Sequence, residues 1–269
     1  MSEGELETHL RINFDSRSNK MYYRSKTILH VLAALLLSAA LSATASAQTN
    51  VAFSDGTFVV SSGQPPSPGW TYVVAAAAAG DAYTPTLTLT QKLTGGNPGD
   101  WMSEYFTMKG TNTAVIFWVF NPANTFTGTF ASLNYSYDLQ DQGHSAFIGH
   151  NMAVEQNGQV YITGNPTVED GLIVAHTAWA DEPNPFFHTG LVASQFCAVP
   201  PNASDSVPLD CNSNPDFSTP ATTVFGYSVG ASFQGGSPHG PPGVFETGID
   251  NWCVALGAWM SGCVQLRDC

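Results

Sequence analysis

Two-residue alternation is the feature that most limits what this chain folds into. In "LNYSYDL", Leu133, Tyr135 and Tyr137 fall on one face of an extended backbone, and Asn134, Ser136 and Asp138 fall on the other. "TPTLTLTQKL" alternates threonine with leucine in the same way, a half-buried strand. "TAVIFWVF" is apolar on both faces and reads as a central strand. "NVAFSDGTFVV" reads as a strand or strand pair with an Asp-Gly turn, and "SAFIGHNMAVEQNGQVYITG" as a hairpin turning at Asn157-Gly158. "LIVAHTAW", "TTVFGYSVGASF" and "TGIDNWCVAL" add further strands, whereas the alanines of "GWTYVVAAAAA" also suit a short helix. Loops such as "GGNPGD", "DEPNPF" and "GGSPHGPPG" separate the strands, and residues common on helix surfaces are scarce. About ten strands at this spacing predict an all-β fold, an antiparallel β-sandwich of jelly-roll type.

The N-terminus has a different character. "YYRSK" is a basic segment, Ile28 to Ser42 is apolar, and "ATASA" ends in small residues at Ala47. This is the pattern of a secretory signal peptide cleaved before Gln48. The apolar run is shorter than the roughly 20 residues a spanning helix needs. Residues 1–47 are therefore read as a leader, with Met21 an alternative start, and 48–269 as one secreted or cell-surface domain without a membrane span. Beyond residue 47 only Lys92, Lys109 and Arg267 are basic, against 17 carboxylates. Phosphate backbones and anionic lipids need cationic partners, so nucleic acid is excluded as a partner class and neutral glycans and cations remain.

Export permits disulfides. Cys197 and Cys211 bracket a loop of Pro, Asn, Ser and Asp and are expected to pair. Of the remaining three, Cys253 is assigned to Cys263, which leaves Cys269 as a terminal free thiol or for a disulfide-linked dimer.

The ends of the domain carry a resemblance. "NVAFSDG" followed by Gly69-Trp70, and the closing "GIDNWCV", resemble the first and last strands of galactose-binding-like, carbohydrate-binding jelly-roll domains; concanavalin-like sandwiches are a close alternative. The resemblance implies a carbohydrate-binding module, and a structural calcium held by Asp250 of the closing strand and by Asp55 near the first strand. Calcium takes six to eight oxygen ligands, many of which main-chain carbonyls supply. Simple alternation places Asp250 in line with Trp252, Val254 and Leu256, where a carboxylate is costly unless paired, hydrogen-bonded or metal-bound. The alternative to calcium is that Asp250 caps backbone N–H groups at a sandwich corner.

Catalytic signatures are weak. "GYSVG" (Gly226–Gly230) matches the nucleophile elbow of serine hydrolases, but Phe225, Tyr227 and Val229 continue a strand alternation and "ASFQGGSPHGPPG" cannot form the required helix. Glu169-Asp170 and Asp181-Glu182 sit in loop-like segments, where solvated charge explains them better than a glycosidase pair. His144, His150, His176, His188 and His239 form no metal-ligand spacing. The favoured reading is an exported, non-catalytic module that binds extracellular carbohydrate or matrix. Trp101, Tyr105 and Trp179 are its candidate stacking platforms, and Asn134 and Asp138 its candidate hydroxyl partners. A structural or adhesive surface protein and a glycoside-active enzyme are the alternatives.

Overall fold

Each alternating run hides its apolar side only by packing against another sheet, and the chain does this with twelve strands among the described residues. The computed structural model describes residues 51–61, 69–78, 86–97, 99–108, 113–141, 147–164, 187–200, 209–233 and 243–257. These belong to one unit, Thr49–Cys269. In chain order the strands are β1 (Ala52–Asp55), β2 (Thr71–Ala78), β3 (Thr86–Gly96), β4 (Gly99–Met108), β5 (Thr113–Gly128), β6 (Leu133–Asp141), β7 (Phe147–Gln156), β8 (Gln159–Thr163), β9 (Phe187–Leu191), β10 (Phe196–Ala198), β11 (Ala221–Phe233) and β12 (Gly243–Leu256).

They form two antiparallel sheets packed face to face, a β-sandwich as expected. Sheet I runs β3-β4-β12-β6-β9, with β1 against the second half of β12. Sheet II runs β10-β8-β7-β11-β5-β2. The chain passes repeatedly from one sheet to the other, and the first and last described strands, β1 and β12, lie side by side, the wrapping of a jelly-roll type. Between the sheets lies an aromatic core that includes Trp70, Trp252, Tyr135, Tyr137, Tyr227, Phe106, Phe117 and Phe225, all fully buried. Burying each such side chain contributes about 1.5–3 kcal/mol.

Local sequence explains several details. Both faces of "TAVIFWVF" are apolar because β5 sits between β2 and β11 and is covered on both sides. Val115, Phe117 and Val119 face the main core, while Trp118 joins Ala76, Ala153, Ile162 and Val199 in a second cluster outside sheet II. Pairing with β5 also settles "GWTYVVAAAAA": it is strand β2, because a waiting sheet edge outweighs alanine's helix preference. Asn157 and Gly158 both have positive φ, the mirror-image turn that a tight β7–β8 hairpin requires.

The closing strand departs from simple alternation. Between Asp250 and Cys253 the β12–β6 register shifts, with Asn251 at φ 50°. Two residues of β12 oppose one of β6, a bulge that inverts the strand's face assignment. Asp250 therefore shares the outer face of sheet I with Asp138, and Trp252, Val254 and Leu256 point into the core. The expectation that Asp250 lies in line with the core residues is corrected by that one extra residue. The run "LIVAHTAW", the leader, Trp179, Cys263, Cys269, the loop "DEPNPF" and all of "GGSPHGPPG" but its last glycine lie outside the described residues.

Candidate functional site

The outer face of sheet I gathers most of the residues that the sequence marked for binding. Trp101, Ser103 and Tyr105 alternate outward from β4, because Met102 and Phe106 point into the core. Thr88, Thr90 and Lys92 stand beside them on β3, in register with Tyr105, Ser103 and Trp101. On β12, Glu246 is in register with Tyr105 and Gly248 with Ser103. Asn134, Ser136 and Asp138 follow on β6, and Asp250 is in register with Asp138.

This face has a covered half and an open half. At the β3–β4 turn, Gly96 and Asn97 fold back over the covered half. Gly96 approaches so closely that a Cβ there would lie 2.6 Å from Asp250 Oδ2, so glycine is required. The Asn97 N–H donates to Asp250 Oδ2 at 2.5 Å, and the Asn251 N–H donates to Asp250 Oδ1 at 2.7 Å. Asn251 Nδ2 donates to Asp138 Oδ2 at 2.7 Å and also to the Asn97 carbonyl. The positive φ of Asn251 is what brings its amide between the two carboxylates. Burial pushes the Asp250 carboxyl up to about 7; the two N–H groups counter this, and the neighbouring charges of Asp138 and Asp100 add to it. Asp250 thus receives the β3–β4 turn and its own bulge through two backbone N–H groups, as the capping alternative to calcium expects.

Asp55 does not join it. Asp55 shares the inner face of β1 with Phe53, which stacks on Phe225, whereas Asp250 faces outward. Asp55 Oδ1 accepts from Thr57 N–H and Phe58 N–H, each at 2.8 Å, and Oδ2 accepts from Trp70 Nε1 at 2.7 Å. Its place is to close a turn and to satisfy the indole N–H of a buried tryptophan. Gly69 precedes that tryptophan because at φ 103° a Cβ would lie 2.3 Å from the Val59 carbonyl. Asp55 and Asp250 thus stand on opposite faces of sheet I. Among the described residues no three His, Cys, Asp or Glu side chains gather to hold a metal ion.

Of the expected sugar-binding residues, most are used internally. Trp101 is buried and donates from Nε1 to the Thr94 carbonyl at 3.0 Å. Asn134 is buried, donates to the Gly257 carbonyl at 2.7 Å and accepts from Gly190 N–H at 2.8 Å. Asp138 is buried beside Asp250. Asn134 and Asp138 of the β6 ladder therefore fasten neighbouring segments instead of facing solvent. Among those that are described, Tyr105 alone is open, at 40 % exposure. Around it lie exposed Thr88 and Thr90, and Ser103 Oγ donates to Glu246 Oε1 at 2.6 Å.

A second polar group lies inside the sandwich and was missed. Glu104 on β4 is fully buried and accepts from Tyr227 Oη at 2.5 Å and Thr247 Oγ1 at 2.7 Å, and it pairs with His150 Nε2 at 2.6 Å. Tyr227 and His150 come from sheet II, Glu104 and Thr247 from sheet I. Burial, then the Glu104 charge, push the Tyr227 hydroxyl well above its ordinary value, so it keeps its proton and donates. The alternation of Met102, Glu104 and Phe106 carried the signal, since it places Glu104 in line with core residues. The serine of "GYSVG" is buried in the middle of β11, in register with Trp118 and Asn151, and the strand continues through it to Phe233 with no elbow. Gly226 serves packing: a Cβ there would lie 2.2 Å from the Val119 carbonyl. Cys197 and Cys211 form the expected disulfide. Cys253 is also disulfide-bonded, and its assignment to Cys263 lies outside the described residues.

No family model and no curated protein matches the chain. Among solved structures, the chain is similar to the K1 cleaved adhesin domain of Lys-gingipain from Porphyromonas gingivalis W83, at 16% identity over 78% of this chain and 99% of that one, with a TM-score of 0.27. That overlap is too loose to establish a shared fold. No helix among the described residues is long and apolar enough to cross a membrane.

Proposed function

We propose that this protein is an exported, non-catalytic β-sandwich module that binds extracellular carbohydrate through the open half of the outer face of sheet I. The observation that carries this reading is Tyr105, an exposed aromatic ring on a regular antiparallel sheet, flanked by threonine hydroxyls and the carboxylate of Glu246. An aromatic face accepts the C–H face of a sugar ring, and the surrounding oxygens accept its hydroxyls. The rigid sheet holds this array without ordering loops, which lowers the entropic cost of binding. The Cys197–Cys211 disulfide accords with an oxidising compartment.

A structural calcium would draw on Asp250 and, in place of Asp55, on Asp138, which stands in register with it. The residues that would hold the ion are Asp138, Asp250 and the Asn97 carbonyl, and it would neutralise two buried carboxylates and fasten the β3–β4 turn.

The carbohydrate reading is tested by binding to a panel of insoluble and soluble polysaccharides, wild type beside Tyr105→Ala. At least a tenfold loss in the variant is expected for every polysaccharide that the wild type retains. Retention that Tyr105→Ala leaves unchanged would overturn the assignment of this face.

A further inference from the structure

The open half of sheet I offers charge as well as a stacking surface, and the following inference rests on the carbohydrate reading above. Thr88, Tyr105 and Glu246 stand in register across β3, β4 and β12. Ser103 fixes one carboxylate oxygen of Glu246 at 2.6 Å, which orients the group on the same face as the exposed ring. Lys92 is the one base on this face among the described residues. The wider chain reinforces the sign, with three bases against 17 carboxylates beyond residue 47. Such a surface raises the local concentration of cations and disfavours anions.

We infer that the ligand is a polymer of amino sugars with free amines. A ring stacked on Tyr105 would place a protonated amine within reach of Glu246, where a charge-assisted hydrogen bond is roughly twice as strong as a neutral one. The tyrosine face also attracts an ammonium group. N-acetylation removes the charge and adds bulk beside Glu246, and a neutral glucan has nothing to give the carboxylate. An acidic polysaccharide is repelled by the same field.

The test measures affinity for four-ring oligomers of glucosamine, N-acetylglucosamine and glucose, at a pH that keeps the amines protonated. Wild type, Tyr105→Ala, Glu246→Gln and the remote control Glu155→Gln are compared, with melting curves taken for each. The expected result is at least a tenfold preference for the glucosamine oligomer, abolished by Glu246→Gln, with Glu155→Gln unchanged and Tyr105→Ala weakened for every oligomer. Equal, Tyr105-dependent binding of charged and neutral oligomers would overturn the amine inference and leave the carbohydrate reading standing. An equal loss in Glu246→Gln and Glu155→Gln would reduce the preference to bulk charge and overturn it too. Absence of binding to all three oligomers, together with no retention on the polysaccharide panel, would overturn both.

Discussion

Removing a single buried oxygen from the sandwich tests how the two sheets are joined. Tyr227→Phe deletes the hydroxyl that donates to Glu104 Oε1 at 2.5 Å and leaves the ring in place among Trp70 and His150. A hydrogen bond to a carboxylate contributes about 1.5–3 kcal/mol. In a domain of this size, about 2 kcal/mol lowers the melting temperature by about 4–8 °C. Glu104→Leu goes further, since it leaves the Tyr227, Thr247 and His150 donors buried without their acceptor, and should cost about 3–5 kcal/mol. The double variant decides the mechanism. Once Glu104 is gone, Tyr227 has nothing to donate to, so Tyr227→Phe should then cost nothing further and relieve a buried polar group. Urea unfolding of the four proteins should therefore give a coupling of about 2 kcal/mol. If the two losses simply add, to within about 0.5 kcal/mol, the carboxylate is not a shared inter-sheet acceptor and the account of the interior fails.

Other consequences are as direct. The Asp250 carboxyl is held at about 7 in the folded chain against an ordinary 3.8, so the folded state favours its proton. In calcium-free buffer stability should be fullest below about pH 4 and fall as pH rises to about 7; the full linkage is about 4 kcal/mol, reduced by solvent screening to about 1–2 kcal/mol. Asp250→Asn should flatten this slope, and an unchanged slope would refute the assignment. Calcium at pH 8 should raise the wild-type melting temperature and leave Asp250→Asn unmoved, because a ligand stabilises only the state that binds it; no shift in the wild type refutes the calcium proposal. Reduction of the Cys197–Cys211 bridge, whose partners are 14 residues apart, should cost about 3 kcal/mol by calorimetry. Gly226→Ala should cost several kcal/mol or prevent folding, since its Cβ meets the Val119 carbonyl; a soluble variant with an unchanged melting curve would show that β11 relaxes there.

The fold class was legible because its signal is local. Alternation in β6 placed Tyr135 and Tyr137 inward before any partner was known, and Asn157-Gly158 named its own turn. The Cys197–Cys211 pairing was legible for a similar reason, a short polar loop with a cysteine at each end. By itself, then, the sequence determined that the chain alternates, where it turns, and that its charge beyond residue 47 is overwhelmingly negative.

What only the tertiary structure decided is which groups end up together. One extra residue at Asn251 turned Asp250 away from the core and set it against Asp138, and no pattern in "GIDNWCV" distinguishes a bulge from a regular strand. Asp55 and Trp70 meet across 15 positions, and Glu104 and Tyr227 across 123. The β6 ladder looked like a solvent-facing surface and proved buried, since the alternation of a strand says which side chains share a face but not what covers that face. Sidedness is set by the backbone of each strand, within reach of its own sequence. Cover, register and charge pairing are set by segments distant in the chain, and they exist only once the two sheets have closed.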